Sequence, residues 1–250
     1  MTARLDRELV ERGLARSRAQ AQEAIRDARV LVNGAPALRP AQPVVSHDAI
    51  ELSGGDHYVS RAAHKLVGAL TGSGVAIPAR VLDAGASTGG FTQVLLEAGA
   101  EVVYAVDVGH GQLVAELRSD PRVIVRERLN LRELTLEHTD GEPVDLVVGD
   151  VSFISLRLLL APLFGVLAPT GCALLLVKPQ FEVGRGGLDD HGVVRDPVRR
   201  ARAVADIVDA AAGLGWQVAW QGESELSGES GNVEYFLHLV PSAPRVVVAG

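Results

Sequence analysis

Cysteine occurs once in the 250 residues, at Cys172. A single thiol cannot close an intrachain disulfide or supply the clustered thiolates of a structural zinc site. Set in the apolar run "CALLLV", it reads as a small buried hydrophobe. Lysine is nearly as scarce: 22 of the 24 basic residues are arginine, which leaves only Lys65 and Lys178. Long apolar runs are missing too. The longest, "LLLAPLFGVLA" at 158–168, is broken by Pro162 and falls short of the roughly 20 residues that span a bilayer. The N-terminal "MTARLDRELVERG" is charged and lacks the apolar centre of a secretory leader. The histidines show no ligand spacing, so no metal site is expected. These absences point to a cytoplasmic location with no membrane partner.

What is present allows one large core, or an ordinary core with a small satellite, since 47% of the residues are hydrophobic. The net charge of −7 is unevenly spread. Residues 1–40 carry eight arginines against five acids, a balance of +3, and the other 210 carry 16 basic residues against 26 acids, a balance of −10. A basic head on an acidic body suggests a polyanion-binding module joined to something else.

The two parts follow different patterns. In the head, Leu5, Leu9 and Val10 fit an amphipathic helix that ends near Gly13. A second helix follows, with Ser17 as its N-cap and Ala21, Ala24, Ile25 and Ala28 on its inward face. "VLVNGAPAL" then alternates and turns at Asn33-Gly34, a hairpin signal. The polar "SGGDHYVS" at 53–60 has the composition of a linker. From about residue 80 short apolar strands alternate with helices: "RVLDAG", "EVVYAVDV", "RVIVRE", "VDLVVGDV" and "CALLLVK". Near-continuous Val/Leu runs fit parallel strands covered on both faces. Helices are predicted over 90–98, 112–117, 156–167 and 198–214, and the tail reads as an antiparallel closing hairpin.

The helix, helix, hairpin order of "LDRELVERGLARSRAQAQEAI....VLVNG" resembles the S4 RNA-binding domain over about residues 3–52. The resemblance implies that Arg4, Arg12, Arg16, Arg18 and Arg39 contact RNA phosphates.

The first strand of the body ends in "VLDAGASTGGFTQVL". Glycines between a strand and a helix permit a tight turn and close ligand approach, and the helix start offers unpaired N–H groups. A dinucleotide fingerprint would need glycine where Ser87 stands, and a P-loop would need a lysine. The spacing D-x-G-x-x-x-G-G, with Asp107 ending the second strand, instead resembles class I methyltransferases that bind S-adenosylmethionine, and the "DAGASTGGFTQ" form resembles the FtsJ-like 2′-O group. The implied fold is α/β and Rossmann-like, with a mostly parallel seven-stranded sheet behind a small α+β S4-like domain. The expected division is 1–55, a linker at 56–64, and 65–245. The implied cofactor contacts are Asp83, Gly85, Ser87, Thr88, Gly89, Gly90, Phe91, Asp107, Asn130, Leu131 and Asp150. Bare backbone at Gly85 and Gly89 would lie against the methionine part, Asp83 would accept hydrogen bonds from it, and Asp107 would take the ribose hydroxyls.

A parallel sheet binds ligands beyond the carboxyl ends of its strands. Asp150 ends "DLVVGD" and Lys178 ends "ALLLVK", so both should face that crevice. Lys65 lies on the predicted helix "SRAAHKLVGAL", and Glu234 opens the last strand. The order Lys65, Asp150, Lys178, Glu234 is similar to the K-D-K-E tetrad of the FtsJ-like enzymes. Taking a proton from a ribose 2′-hydroxyl needs a base that can itself lose one. Lysine can be tuned to do so by burial and nearby positive charge, and arginine cannot. Lys178 is the expected base and Lys65 the charged positioning group, although the sequence by itself does not separate the two roles.

With "YVSRAAHKL" at the junction and "VKPQFE" after the fifth strand, the chain is similar to the TlyA family. That resemblance implies S-adenosylmethionine-dependent methylation of a cytidine 2′-hydroxyl in 16S or 23S ribosomal RNA, with ribosomal RNA or subunits as partner. Members also bear haemolysin names, so a membrane-active protein is one rival, and a non-catalytic RNA-binding or assembly factor is another. Base methylation is a third, set aside because "DVSF" stands where its Pro-Pro-aromatic signature would fall. The Gly-rich segment 184–196 is either a loop that closes over RNA or a surface excursion.

Overall fold

The structure, a computed structural model, describes residues 2–15, 17–26, 29–52, 57–228 and 230–242. The chain divides into two compact units, Met1–Ser60 and Arg61–Gly250.

In the first unit β1 (Thr2–Arg4) leads into α1 (Leu5–Glu11) and α2 (Arg18–Arg26), followed by β2 (Val30–Val32), β3 (Ala35–Pro36), β4 (Pro43–Val45) and β5 (Ile50–Leu52). Both helices bury the stripe their spacing predicts. Leu5 and Leu9 of α1 meet Ala21, Ala24 and Ile25 of α2 in one core with Val30, Val32, Val44 and Ile50. The Ser17 hydroxyl accepts from the Gln20 N–H at 3.2 Å, as an N-cap should. Ala28, expected on the inward face, lies outside the described residues. Between β2 and β3 both turn residues, Asn33 and Gly34, have positive φ (51° and 78°), the condition for a type I′ hairpin. The hairpin is extended by β5, giving the order β3-β2-β5, while β1 and β4 form a separate antiparallel pair.

The second unit opens with α3 (Ala62–Ser73), where Ala63, Leu66 and Ala69 are buried at helical spacing. This corrects the expected linker at 56–64, because Ala62, Ala63 and His64 already form the first turn of a packed helix. Then come β6 (Arg80–Ala84), α4 (Gly90–Glu97), β7 (Val102–Val106), α5 (Ala115–Arg118), β8 (Val123–Arg126), β9 (Val144–Gly149), α6 (Leu160–Gly165), β10 (Leu167–Val177), α7 (Pro197–Gly213), β11 (Trp216–Glu223) and β12 (Tyr235–Pro241). The seven strands form one sheet in the order β11-β12-β10-β9-β6-β7-β8. The pairs β9-β10, β6-β9, β6-β7 and β7-β8 are parallel, and β12 runs antiparallel to both of its neighbours. Helices cover both faces. Phe236 of β12 stacks on Phe91 of α4, while its neighbour Leu237 points the other way, into the core that holds α6 and α7.

Two predicted helices are shorter in the structure. The segment 156–167 splits into a 3-10 turn at Leu156–Leu158 and α6. Starting α6 at Leu160 puts Pro162 in its first turn, where its missing N–H breaks no helical bond. Segment 112–117 keeps only α5. Leu113 and Gln112 are diverted to the glycine turn, where Gln112 meets Ser87 and the Val114 N–H bonds to Thr88 O.

Strand order reverses between β6 and β9. The chain leaves β6 toward β7 and β8, then returns to the other side for β9 and β10. A crevice opens beyond the carboxyl ends of the strands at such a switch point.

Candidate active site

The crevice is a cavity of about 540 Å³. Of the residues expected around a cofactor, Gly85, Ser87, Asp107, Asn130, Leu131 and Asp150 line it. Asp83, Thr88, Gly89, Gly90 and Phe91 stand behind that lining. Gly85 (φ +85°) sits where a Cβ would come within 3.2 Å of the Asp150 carbonyl oxygen, so the turn can pass β9 only without a side chain. Gly89 (φ +102°) serves differently from the expectation. A Cβ there would overlap Leu117 and lie 2.7 Å from Leu113, so its bareness makes room for the leucines beneath the turn. Ser87 is also left-handed, at φ 48°, and is held so by Asp107, whose two oxygens accept from the Ser87 N–H at 2.8 Å and the Gly109 N–H at 2.6 Å. Asn130 caps a 3-10 turn through the Arg132 N–H. Phe91 is enclosed against Phe236, a packing role.

Asp83 is fully buried at the end of β6. Its Oδ2 accepts from the Thr92 hydroxyl at 2.7 Å, and its Oδ1 is buried with no hydrogen-bond partner. Burial pushes the carboxyl up to about 7, with the Thr92 hydrogen bonds pulling it down and the Asp150 and Asp107 carboxylates adding to the rise. A carboxylate oxygen left bare in the interior is costly unless a donor arrives.

The two lysines and their acids stand at the same rim. Asp150 follows β9, Lys178 follows β10, and Glu234 precedes β12. Val177 pairs with Tyr235, so Lys178 and Glu234 are the next neighbours across that antiparallel pair. The four form two ion pairs. Lys65 Nζ lies 2.6 Å from Glu234 Oε2, with side chains 8% and 2% exposed, and Lys178 Nζ lies 2.6 Å from Asp150 Oδ1, with side chains 10% and 14% exposed. The directed hydrogen bond of Lys178 goes to Ser152 Oγ, at 2.7 Å. Glu234 Oε1 accepts from Gln180 Nε2 at 2.9 Å. Asp150 and Ser152 both line the cavity, so the Lys178 amine is held by two of its lining residues.

Sequence reasoning missed the rest of the rim. In "VKPQFE" it singles out only the lysine, yet the residues that follow are all engaged. Pro179 opens a 3-10 turn, Gln180 holds Glu234, Phe181 lies 5.2 Å from the ring of Phe153, and Glu182 accepts from Ser155 Oγ at 2.6 Å and the Leu156 N–H at 2.8 Å. Phe153 lines the cavity and is 92% exposed, with a φ of 65° that is rare outside glycine. The signal that could have found it is an aromatic residue just after the fourth-strand acid, in the "DVSF" that sequence reasoning uses only to set base methylation aside.

The segment 184–196 is tied down at its second half. Asp189 accepts from the His191 and Val193 N–H groups and from Arg195, while Asn232 bonds the Val194 N–H and the Gly192 carbonyl. Among the described residues no helix is long and apolar enough to cross a membrane, and no group of three His, Cys, Asp or Glu side chains could hold a metal.

In the first unit the candidate arginines part company. Arg4 and Arg18 both bond the buried Asp6. Arg12 is used internally, by Glu8 and the carbonyls of Val45, Ser46 and Asp48, so it staples α1 to the β4–β5 turn rather than offering itself to a ligand. Arg39 is exposed on the turn whose Pro40 and Gln42 carbonyls receive the first N–H groups of α1. Arg16 lies outside the described residues.

Residues 58–240 match the FtsJ-like methyltransferase family and residues 3–50 the S4 domain. The 16S/23S rRNA (cytidine-2′-O)-methyltransferase TlyA of Mycobacterium tuberculosis is 51% identical over 99% of this chain and 93% of its own. Hemolysin A of Brachyspira hyodysenteriae is 37% identical over 95% of this chain and 99% of its own. A solved structure from Streptococcus thermophilus that carries a hemolysin name superposes with a TM-score of 0.77 at 35% identity, covering 96% of this chain and 89% of its own. With the fold, both family matches and near full-length identity in agreement, the chain belongs to the TlyA family, an S4 domain joined to an FtsJ-like methyltransferase.

Proposed function

We propose that the protein methylates the 2′-hydroxyl of a cytidine in ribosomal RNA, with S-adenosylmethionine as methyl donor. The observation that carries this reading is the pair of enclosed lysine–carboxylate contacts at the rim of the glycine-turn cavity, one of them bordering the cavity itself. The M. tuberculosis relative bears the name of that reaction.

The cavity residues suit the cofactor. Behind the lining, the bare Oδ1 of Asp83 is the acceptor we assign to an ammonium group at the methionine end, which has to enter past the turn at Gly85 to reach it. Asp107 keeps lone pairs for ribose hydroxyls, and Leu129, Leu131 and Val108 offer apolar surface to a purine ring. When bound, S-adenosylmethionine supplies a methyl group on a positively charged sulfur.

Lys178 is the base. Paired with Asp150 as an ammonium, it first loses a proton to solvent; the free amine then takes the proton that the 2′-hydroxyl releases, which restores the ammonium. Asp150 and Ser152 aim the amine. Lys65 remains an ammonium against Glu234 and orients the ribose. Much of the acceleration would come from these residues holding the ribose hydroxyl in line with the methyl donor. Phe153 presents its ring to the nucleobase of the same nucleotide. The S4 head supplies affinity for RNA that the acidic body lacks.

The test is incubation with radiolabelled S-adenosylmethionine and ribosomal subunits, followed by alkaline hydrolysis. A label within an alkali-resistant dinucleotide marks a 2′-O-methyl group. A label released as a mononucleotide base adduct would move the reaction to the base, and no incorporation into either subunit would favour a binding role.

A further inference from the structure

Asp6 is fully buried in the first unit, and its carboxylate is shared among three side chains, one from the strand before α1 and two from α2. Arg4 approaches side-on, Nε to Oδ1 at 3.0 Å and Nη2 to Oδ2 at 3.1 Å. Arg18 Nη2 and Gln22 Nε2 reach Oδ2 at 3.0 and 2.8 Å. The two guanidinium groups nevertheless stay open to water, with side chains 51% and 60% exposed. Each commits one edge to the same carboxylate and turns its remaining N–H groups outward. Among the described residues Arg4 keeps Nη1 for an outside acceptor, and Arg18 keeps Nη1 and Nε.

We infer that Asp6 is a positioning residue that sets Arg4 and Arg18 as a fixed two-phosphate clamp for RNA, an inference that rests on the RNA-binding role proposed above for the head. The physical case is the entropy of the partners. A free arginine surrenders several rotors when it meets a phosphate, whereas one already held through one edge gives up little. A guanidinium suits this arrangement because it is planar, has N–H groups on more than one edge, and stays charged while bonded. The cluster remains cationic, with two guanidinium groups against one carboxylate. The arginines also hold the Asp6 carboxyl far below the ordinary carboxylate range, chiefly through the Arg4 hydrogen bonds, so the support is ionised at neutral pH.

The inference makes a prediction opposite in sign to that of simple charge. Removing a carboxylate beside a phosphate site should tighten RNA binding on Coulombic grounds, whereas loss of the positioning group should weaken it. Binding of the full chain to deproteinised ribosomal RNA is measured across 50–300 mM KCl. Arg4→Ala/Arg18→Ala should reduce the slope of log K against log salt by about 1.5, since each phosphate contact contributes roughly 0.7–0.9. Asp6→Asn should weaken binding about tenfold, with an unchanged affinity for S-adenosylhomocysteine, and should have no further effect in the double-alanine background. Tighter or unchanged binding by a folded Asp6→Asn protein would overturn the inference. If Asp6→Asn does not fold, Arg4→Lys/Arg18→Lys decides. It keeps both charges but not the two-edged geometry, so affinity should drop severalfold while the salt slope holds, and retained affinity would refute the clamp. An Arg4→Ala/Arg18→Ala protein that binds RNA like the parent would also refute the clamp, whereas loss of RNA binding there with Asp6→Asn unaffected would keep the head as the RNA-binding part and refute only the role of Asp6.

Discussion

In the first unit positive charge sits on arginines that hold a partner and still face water, as at Arg4 and Arg18. In the second, the two lysines are enclosed, each against one carboxylate. The contrast follows from what each group can do. A guanidinium that never gives up its proton serves a polyanion, where charge and geometry are all that is asked. An amine in an enclosed pair can exchange a proton, and enclosure raises the cost of any mismatch between charge and partner. On the function proposed above, Arg4 and Arg18 of the head are tools of affinity, and the two enclosed lysines are tools of chemistry.

The sharpest way to break that comparison is Lys178→Arg. Charge is preserved and proton acceptance is not, so turnover should fall about 10²–10⁴-fold while S-adenosylhomocysteine still binds and the melting temperature barely moves. Retained turnover in a single-turnover methylation assay would remove Lys178 as base. Next in size is Lys65→Met, which leaves the Glu234 carboxylate buried with Gln180 as its one remaining side-chain partner among the described residues. It should cost about 3–5 kcal/mol in urea unfolding, and Lys65→Met/Glu234→Gln should recover a good part of that. The matching change in the head is Arg7→Ala, which removes an exposed pair with Glu11 one helical turn away. There the expected cost is about 0.5 kcal/mol or less, and equal losses at the two pairs would erase the distinction between the units.

Asp83 adds a pH dependence opposite in direction to that of Asp6 in the head. Its folded value is raised to about 7, against about 3.9 for an unfolded chain. Below both values the group is protonated in either state. Between them the folded protein binds the extra proton, so the stability of the ligand-free protein should decline as pH rises from about 4 to 7. Cofactor affinity should run the other way, because an ammonium pairs with the ionised carboxylate. Isothermal titration with S-adenosylhomocysteine should give roughly tenfold tighter binding at pH 8 than at pH 6. Asp83→Asn should bind weakly at both, and a wild-type affinity that is flat with pH would dismiss Asp83 as the ammonium acceptor. A smaller effect sharpens the picture of the head. Arg12→Ala should lower stability by about 1–2 kcal/mol through its lost carbonyl bonds and leave the salt dependence of RNA binding unchanged.

Much of the fold could be read from one-dimensional pattern. The glycine turn, the Val/Leu strands, the Asn33-Gly34 hairpin and the paired helices of the head each follow from spacing over a few residues. The helix ends at 112–117 and 156–167 did not: contact with the glycine turn diverted Gln112 and Leu113, and at 156–167 the apolar spacing outran the local rule that Pro162 must fall in a first turn. In the site, residue types at strand ends marked out Lys178 and Asp150. Gln180, Ser152 and Phe153 carried no periodic or compositional signal strong enough to be chosen.

By itself the sequence determined which chemistry was within reach: two amines among guanidinium groups, a glycine turn after a strand, and a basic head on an acidic body. Those are properties of single residues and of neighbours along the chain. The tertiary structure decided who holds whom. It paired Lys65 with Glu234 across 169 positions, engaged Arg12 internally, tied Arg4 and Arg18 to Asp6, and gave Gly89 to two leucines. The physical reason is that a hydrogen bond or an ion pair is settled over about three ångströms of space, and chain separation says little about which groups the sheet and helices bring that close.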